Sequence, residues 1–263
     1  MAKPVQTAIE NGVASVTLNR PDVLNALNAE MAAALFETVS RLETDHTVRC
    51  VVITGAGGHF MAGGDIKFFR QWLDTDPNRD RKDFDELFYN VHGTIRVLRQ
   101  MEKPVVASVR GAAAGFGVSL MAACDLSLVA ENAVLTLAYC HLGASPDGGS
   151  TYYLPRMVGV KRAMELALLG EKFDAHRALE MGLATRVVAE AELERATSAL
   201  AAHLSAGPVR AYANTKRLIN ASLHTEFNQQ LDAEQESFIE CAMTPDFAEG
   251  VTAFCEKRKP RFG

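Results

Sequence analysis

Two segments rich in glycine and alanine each follow an apolar run of the kind that forms a buried strand. The first spans residues 60–66 (Phe-Met-Ala-Gly-Gly-Asp-Ile), and the second spans residues 111–117 (Gly-Ala-Ala-Ala-Gly-Phe-Gly). Small residues allow another group to approach the backbone closely. If N–H groups from both segments converged, they would form an oxyanion hole that stabilises developing negative charge. The same residues also suit tight turns without a ligand, so the residue types alone leave both interpretations open.

A carboxylate and a histidine outside these segments could also do chemistry. Asp147 lies in the string Gly-Ala-Ser-Pro-Asp-Gly-Gly, and Pro-Asp-Gly is a common β-turn sequence, which favours a turn residue. His92 lies on the predicted helix that carries Leu87, Val91 and Ile95, and packing or simple surface exposure is its favoured role. His59 and His141 border the motifs without the spacing of metal ligands, and we expect no metal site.

The composition excludes several classes of function. The chain has 263 residues, of which 48% are hydrophobic and 22% charged, with a net charge of −5. We therefore expect no nucleic-acid partner and no attraction to anionic membranes. The five cysteines are widely spaced and form no C-x-x-C pair, which favours reduced thiols in the cytoplasm over disulfides or structural zinc. The sequence shows neither a targeting segment nor an apolar stretch long enough to span a membrane.

The elements that must position these residues follow from hydrophobic periodicity. An Asn11-Gly12 turn precedes a strand at 13–18, and further strands are predicted at 49–54, 104–109 and 125–129. Helices are predicted from an Asn28 N-cap to Leu42, around 87–98 and within a mostly helical region from Lys161 onward. The predicted helices of that region are 160–168, 174–181, 190–206, 208–221, 226–241 and 246–257.

These elements alternate in a way that predicts an α/β core. The polar stretch from Asp74 to Asp85 is predicted as a surface loop or the start of a helix. Ala206-Gly207-Pro208 is the clearest break in the chain, and it divides a core at 1–206 from a helical tail at 207–263.

Four segments resemble the signatures of the crotonase (enoyl-CoA hydratase/isomerase) family, and they occur in the same order. These segments are residues 20–27, 60–66, 111–125 and 249–262. The resemblance implies a ClpP-like spiral core of repeated ββα units, carrying a coenzyme A site within residues 1–206. It also implies that residues 207–263 build a homotrimer or a dimer of trimers.

The resemblance also implies roles for individual residues. The ligand would be an acyl-CoA thioester, with coenzyme A as part of the substrate and no separate cofactor. The backbone N–H groups of Gly64 and Phe116 would bind the thioester oxygen. The residues expected to contact coenzyme A are Val23, Leu24, Ala62 and Ile66 within one subunit, and Phe238 and Lys257 from a neighbouring subunit.

The sequence departs from the hydratase pattern where hydratases carry two glutamates. Ser119 and Tyr139 occupy these positions, and Tyr139 is expected to line the substrate site. Asp147 stands where hydratases usually have glycine, and residues 142–156 resemble ring-epoxide-type and related enoyl-CoA isomerases. That resemblance implies that Asp147 shuttles a proton beside the thioester. An apolar pocket would raise the pKa of Asp147 and make it a better base.

Three alternatives remain open at this point. The first is a hydratase that uses one carboxylate. The second is an enzyme similar to aromatic acyl-CoA dehalogenases, with Asp147 as nucleophile, since His92 shares a spacing of twelve residues before Pro104 with those enzymes. The third is a non-catalytic acyl-CoA-binding protein with the crotonase fold.

Overall fold

A mostly parallel β-sheet carries the loops that form the candidate site. The computed structural model describes residues 3–75, 80 and 82–263. The strands are β1 (Val5–Glu10), β2 (Val13–Leu18), β3 (Cys50–Gly55), β4 (Val105–Val109), β5 (Ala112–Ala114), β6 (Leu126–Ala130), β7 (Val134–Thr136), β8 (Phe173–Asp174) and β9 (Arg186–Val188). The helices are α1 (Ala29–Thr44), α2 (Ile66–Thr75), α3 (Lys82–Gln100), α4 (Phe116–Ala123), α5 (Ser150–Val158), α6 (Val160–Leu169), α7 (Ala175–Glu180), α8 (Leu193–Ser205), α9 (Val209–Ser222), α10 (Phe227–Ala242) and α11 (Pro245–Cys255).

The larger sheet has the strand order β1-β2-β3-β4-β6-β9, and every pairing except β1–β2 is parallel. The β1–β2 hairpin turns at Asn11 and Gly12, both of which have positive φ, as the predicted Asn-Gly turn requires. All residues of β4 are buried, as expected of a parallel strand covered on both faces. The strands predicted at 13–18, 49–54, 104–109 and 125–129 are confirmed to within one residue at either end.

A smaller sheet with the order β5-β7-β8 holds the second glycine-rich segment. Two residues separate β5 from the end of β4, and only Gly115 separates β5 from α4. The chain thus passes from the large sheet to the small one and then into a helix. The combination of two sheets with intervening helices agrees with the expected α/β crotonase fold.

Helix α1 begins where the sequence predicts. The Asn28 side chain accepts a hydrogen bond from the N–H of Met31 at 3.0 Å, which satisfies a donor that the first helical turn leaves free. Leu35, Val39 and Leu42 follow on the buried face of this helix, which packs against α3. The helix continues two residues beyond the predicted end, to Thr44.

Several elements were not predicted. Strands β8 and β9 interrupt the region after Lys161 that was expected to be helical, and each is too short to show a period of two. Helix α5 contains Pro155, which obscures a helical pattern, and α2 starts directly after the first glycine-rich segment. The predicted loop from Asp74 to Asp85 lies partly outside the described residues, and α3 begins within it at Lys82.

Helices α9–α11 form the tail. Lys216 of α9 joins the tail to the core, since its ammonium lies 2.8 Å from the Asp125 carboxylate that also accepts from the N–H of Val105. Arg49 donates to the carbonyl oxygen of Gly207 at 2.8 Å, which fixes the start of the tail. Across the described ranges, no helix combines the length and the apolarity needed to cross a membrane. The division into domains at residues 206 and 207 stays a prediction.

Candidate active site

The first glycine-rich loop is held against residues 20–27 by backbone hydrogen bonds. The N–H of Leu27 donates to the carbonyl of Gly63 at 2.7 Å, and the N–H of Asp65 donates to the carbonyl of Leu27 at 2.8 Å. In a parallel bridge of this kind the central residue, here Gly64, turns its own N–H to the other side. The predicted donor on Gly64 is therefore free to face away from residues 20–27.

Polar side chains reinforce this contact, and their role was missed by the sequence analysis. Arg20 donates to the Asp65 carboxylate at 2.8 Å and to the carbonyl of Ala26 at 2.5 Å. Asn25 is fully buried, and its side chain donates to the carbonyl oxygens of Ala56 and His59 at 3.0 and 2.8 Å. The sequence did contain a signal for this role. Arg20 and Asn25 lie among apolar residues in the segment 20–27, and polar groups that become buried need hydrogen-bond partners.

The second loop lies beside the first and ends at a buried helix. Gly115 has φ 50° and ψ −119°, a conformation that favours glycine, and it directly precedes Phe116, the first residue of α4. The N–H of Phe116 belongs to the first helical turn, where donors have no partner within the helix. A Cβ atom on Gly115 would lie only 3.5 Å from the Cα of Gly63. The structure therefore brings the Gly64 and Phe116 segments side by side.

The turn that contains Asp147 packs against the first turns of α4. Gly148 follows Asp147 with φ +60°, and a Cβ there would lie 2.7 Å from the Phe116 ring and 2.9 Å from the Cβ of Ser119. The backbone oxygen of Asp147 accepts from the hydroxyls of Ser119 and Ser150, each at 2.9 Å. Asp147 is thus in a turn, as its sequence suggests, but the turn is packed against the second loop.

The Asp147 carboxylate is bound by Tyr139. The Tyr139 hydroxyl donates to Oδ1 of Asp147 at 2.5 Å and lies 3.3 Å from Oγ of the fully buried Ser119. Tyr139 begins the 3-10 turn Tyr139–Leu142, and its ring lies 3.8 Å from where a Cβ on Gly115 would be. The two positions where hydratases carry glutamates are therefore in direct contact with each other and with Asp147.

Burial dominates the electrostatics of this cluster. Desolvation raises the pKa of Asp147, while the hydrogen bond from Tyr139 and the nearby His92 lower it less. Burial, and then the Asp147 charge, raise the pKa of Tyr139, so the phenol stays a neutral donor. His92 lies on α3, near enough for its charge to lower the pKa of Asp147, although the sequence analysis favoured packing or surface exposure.

A row of aromatic rings connects the first loop with His92. Phe69 packs over Gly64, since a Cβ there would lie 2.6 Å from its ring. The centroid separations along the row are 6.2 Å for Phe69–Phe84, 6.2 Å for Phe84–Phe88 and 5.3 Å for Phe88–His92. Residues 84, 88 and 92 are four apart and share one face of α3, a signal that the sequence analysis left unused.

The residues expected to contact coenzyme A divide into two groups. The Ala62 N–H donates to the Leu24 carbonyl oxygen at 3.0 Å, which joins the segment of Val23 and Leu24 to the first glycine-rich loop. Leu24 and Ile66 are 41% and 54% exposed, so they form an accessible rim. Phe238 instead packs against Phe247 within the tail, and Lys257 follows α11. The structure does not bring those two to the loops of their own chain.

Comparisons with known proteins place this geometry in context. Residues 8–263 match the family model described as enoyl-CoA hydratase/isomerase. The chain is 38% identical over 262 residues to the 1,2-epoxyphenylacetyl-CoA isomerase of Escherichia coli K12, covering 100% of this chain and 99% of that one. It is 32% identical to the trans-2-decenoyl-[acyl-carrier-protein] isomerase of Streptococcus mutans, covering 99% and 98% of the two chains. A solved enoyl-CoA hydratase structure from Polaromonas sp. JS666 superimposes with a TM-score of 0.92 at 34% identity, over 98% and 99% of the two chains.

Proposed function

The chain belongs to the enoyl-CoA hydratase/isomerase family, and we propose that it is an enoyl-CoA isomerase in which Asp147 moves the proton. The observation that carries this proposal is one half-buried carboxylate, Asp147, packed against the second glycine-rich loop, with hydroxyls at both expected glutamate positions. The substrate would be a 2- or 3-enoyl-CoA or a related unsaturated or cyclic acyl-CoA. Coenzyme A enters as part of the substrate, and the reaction needs no separate cofactor.

The mechanism begins with the thioester oxygen accepting hydrogen bonds from the N–H groups of Gly64 and Phe116. The positive end of α4 adds to the stabilisation of negative charge at this oxygen. Asp147 takes a proton from the α- or γ-carbon, and the electron pair moves into a dienolate whose charge rests on the thioester oxygen. The protonated Asp147 then returns the proton to the other carbon, which shifts the double bond and regenerates the carboxylate.

Hydration is disfavoured because the water position is closed. A water molecule that bridges two oxygens needs about 2.8 Å to each, which separates them by about 4.5 Å at its tetrahedral angle. The Ser119 and Tyr139 oxygens are only 3.3 Å apart. A hydroxyl at neutral pH also lacks the basicity that activates water, and Tyr139 is held neutral by burial.

The test is a panel of 3-enoyl-, 2-enoyl- and aromatic acyl-CoAs assayed with the wild type and Asp147→Asn. We expect isomerisation to exceed hydration of crotonyl-CoA by at least roughly tenfold, equivalent to about 1.4 kcal/mol of barrier. Asp147→Asn is nearly isosteric but cannot take up a proton, so its turnover should fall roughly a hundred- to ten-thousandfold with little change in CoA binding. Efficient hydration without isomerisation, or full turnover in the variant, would contradict the proposal.

Nucleophilic dehalogenation is the second candidate, because His92 on α3 lies near enough to Asp147 for its charge to lower the pKa of that carboxyl group. In that reaction the carboxylate attacks a ring carbon, halide leaves, and water hydrolyses the resulting aryl ester with a histidine available as base. Tyr139 stands where the aromatic acyl-CoA dehalogenases carry a tryptophan for the halide, which ranks this reaction second. Halide release from a 4-halobenzoyl-CoA, lost in His92→Gln, would reverse the ranking.

The remaining proposals concern the residues that bind coenzyme A, the oligomeric state and the cellular compartment. Val23, Leu24, Ala62 and Ile66 would hold the coenzyme A moiety, while Phe238 and Lys257 would reach the coenzyme A of a neighbouring subunit in a trimer or dimer of trimers. A lysine suits the negatively charged phosphates of this ligand. We place the protein in the cytoplasm, where its cysteines stay reduced.

A further inference from the structure

We propose that Tyr139 is a positioning residue that occupies Oδ1 of Asp147, so that the travelling proton is carried on Oδ2. The inference rests on the proposed proton shuttle, and it replaces the substrate contact expected for Tyr139 from the sequence. The evidence for it is the set of hydrogen bonds around Asp147, and it does not depend on the family resemblance.

The hydroxyl hydrogens around Asp147 can be assigned one by one. Tyr139 has one hydrogen, and the 2.5 Å contact directs it to Oδ1. Ser119 also has one hydroxyl hydrogen, and its Oγ lies 2.9 Å from the Asp147 carbonyl oxygen but 3.3 Å from the Tyr139 oxygen, so the hydrogen is directed to the carbonyl. Ser150 also donates to that carbonyl. Both serines therefore fix the backbone, and the hydrogen bond to the carboxyl group comes from Tyr139.

This arrangement distinguishes the two carboxyl oxygens. An oxygen that already accepts a short hydrogen bond is the less basic of the pair, so a proton arriving at Asp147 goes to the other oxygen. Tyr139 can maintain its bond in both states, because it donates to Oδ1 whether or not Oδ2 carries a proton. The carboxyl plane stays fixed while the proton is taken up and returned, which keeps Oδ2 aligned with both carbon atoms.

The groups that face Asp147 come from three elements. Tyr139 lies on the 3-10 turn and Ser119 on α4, while His92 on α3 carries the nearby charge that lowers the pKa of Asp147. Removal of the Tyr139 hydroxyl leaves the other two in place. The carboxylate then loses its donor while its burial persists, so the pKa of Asp147 must rise.

The decisive variant is Tyr139→Phe. The matched control is Tyr212→Phe, because Tyr212 of α9 packs against a separate apolar cluster that includes Val106, Leu193 and Leu204. For Tyr139→Phe we expect turnover to fall roughly ten- to hundredfold, the range for a hydrogen bond to a charged group, with KM within about threefold. The acid-side midpoint of kcat/KM should move to higher pH by about one unit. Tyr212→Phe should change neither quantity.

A measurement independent of turnover accompanies the kinetics. The Asp147 carboxyl carbon is observed by NMR in aspartate-labelled protein and identified as the signal missing from Asp147→Asn. Its titration midpoint should be higher in Tyr139→Phe than in the wild type. An unchanged midpoint, or a raised KM with unchanged turnover, would overturn the inference and restore Tyr139 as a substrate contact.

The two proposals fail in distinguishable ways. If Asp147→Asn keeps its turnover, the proton shuttle itself is wrong. If Asp147→Asn is inactive while Tyr139→Phe keeps the wild-type midpoint and turnover, the shuttle stands and only the positioning role is wrong.

Discussion

At the scale of single residues, Asp147 lies where burial and hydrogen bonding oppose each other. Desolvation disfavours the carboxylate, whereas the Tyr139 hydroxyl and the His92 ring favour it. Burial is the largest of these effects, so the pKa of Asp147 is raised above its ordinary value of 3.8. The raised pKa makes Asp147 a stronger base than an exposed aspartate. The hydrogen bond from Tyr139 lowers the pKa and so limits the rise.

The direction of this effect predicts a pH dependence. In the proposed isomerisation the carboxylate takes up the first proton, so kcat/KM should fall as the pH drops through the pKa of Asp147 in the free enzyme. We expect this acid-side midpoint above 3.8. The measurement is a kcat/KM profile from pH 4 upwards, with circular dichroism over the same range to exclude unfolding. A midpoint at or below the ordinary aspartate value would show that Asp147 is not the titrating base.

At the scale of elements, the first glycine-rich loop depends on a contact that lies outside it. Arg20 and Asp65 are mostly buried, with side chains 22% and 10% exposed, and they tie residues 20–27 to the loop that carries Gly64. The orientation of the Gly64 N–H follows from the Leu27–Gly64 bridge beside this ion pair. We therefore expect the Arg20–Asp65 ion pair to contribute both to the free energy of unfolding and to the position of the Gly64 N–H.

We expect Arg20→Met to lower the free energy of unfolding by about 1–3 kcal/mol, because Asp65 is left buried without its charged partner. Turnover should fall as well, since the loop that holds Gly64 loses its support. The control is Arg70→Met, which breaks an exposed i,i+4 pair with Asp74 and should cost at most about 0.5 kcal/mol. Denaturant titration and steady-state kinetics measure both effects, and equal costs for the two variants would argue against this role of the Arg20–Asp65 ion pair.

At the scale of the whole molecule, the tail leaves a large apolar surface uncovered. Phe227, Phe238, Met243 and Phe254 are between 65% and 85% exposed. Large exposed apolar patches mark surfaces that bind other proteins, membranes or ligands. The Lys216–Asp125 ion pair joins α9 to the core. The exposed apolar side chains lie on α10, on α11 and between these two helices, and we expect a second copy of the chain to cover them.

We expect a trimer or hexamer in solution, measured by light scattering at micromolar concentration. Phe238→Glu combined with Phe254→Glu should shift the protein towards monomers, because two charges would be buried at the contact. Ile9→Glu on β1 is the control, since Ile9 is an exposed apolar residue (43%) outside the tail. A monomeric wild type would reject the prediction and remove the reason for assigning Phe238 and Lys257 to a neighbouring site.

The local pattern of the sequence was sufficient for much of the fold. Buried strands such as β3 and β4 are continuous apolar runs, and α1 combines an N-cap with a regular apolar face, so short-range physics determines them. Strands β8 and β9 were missed because two or three residues carry no period, and their pairing partners are distant in sequence. The four motifs identified the family because their order along the chain is itself part of the sequence.

Only the tertiary structure decided how the site is assembled. Asp147 is in a β-turn string, and nothing local distinguishes a solvated turn from one packed on Phe116 and Ser119. The Tyr139–Asp147 hydrogen bond and the approach of His92 depend on three separate elements meeting at one point. Burial is the physical reason, because the pKa and the basicity of a carboxylate depend on what surrounds it in space, and residue spacing does not record those surroundings.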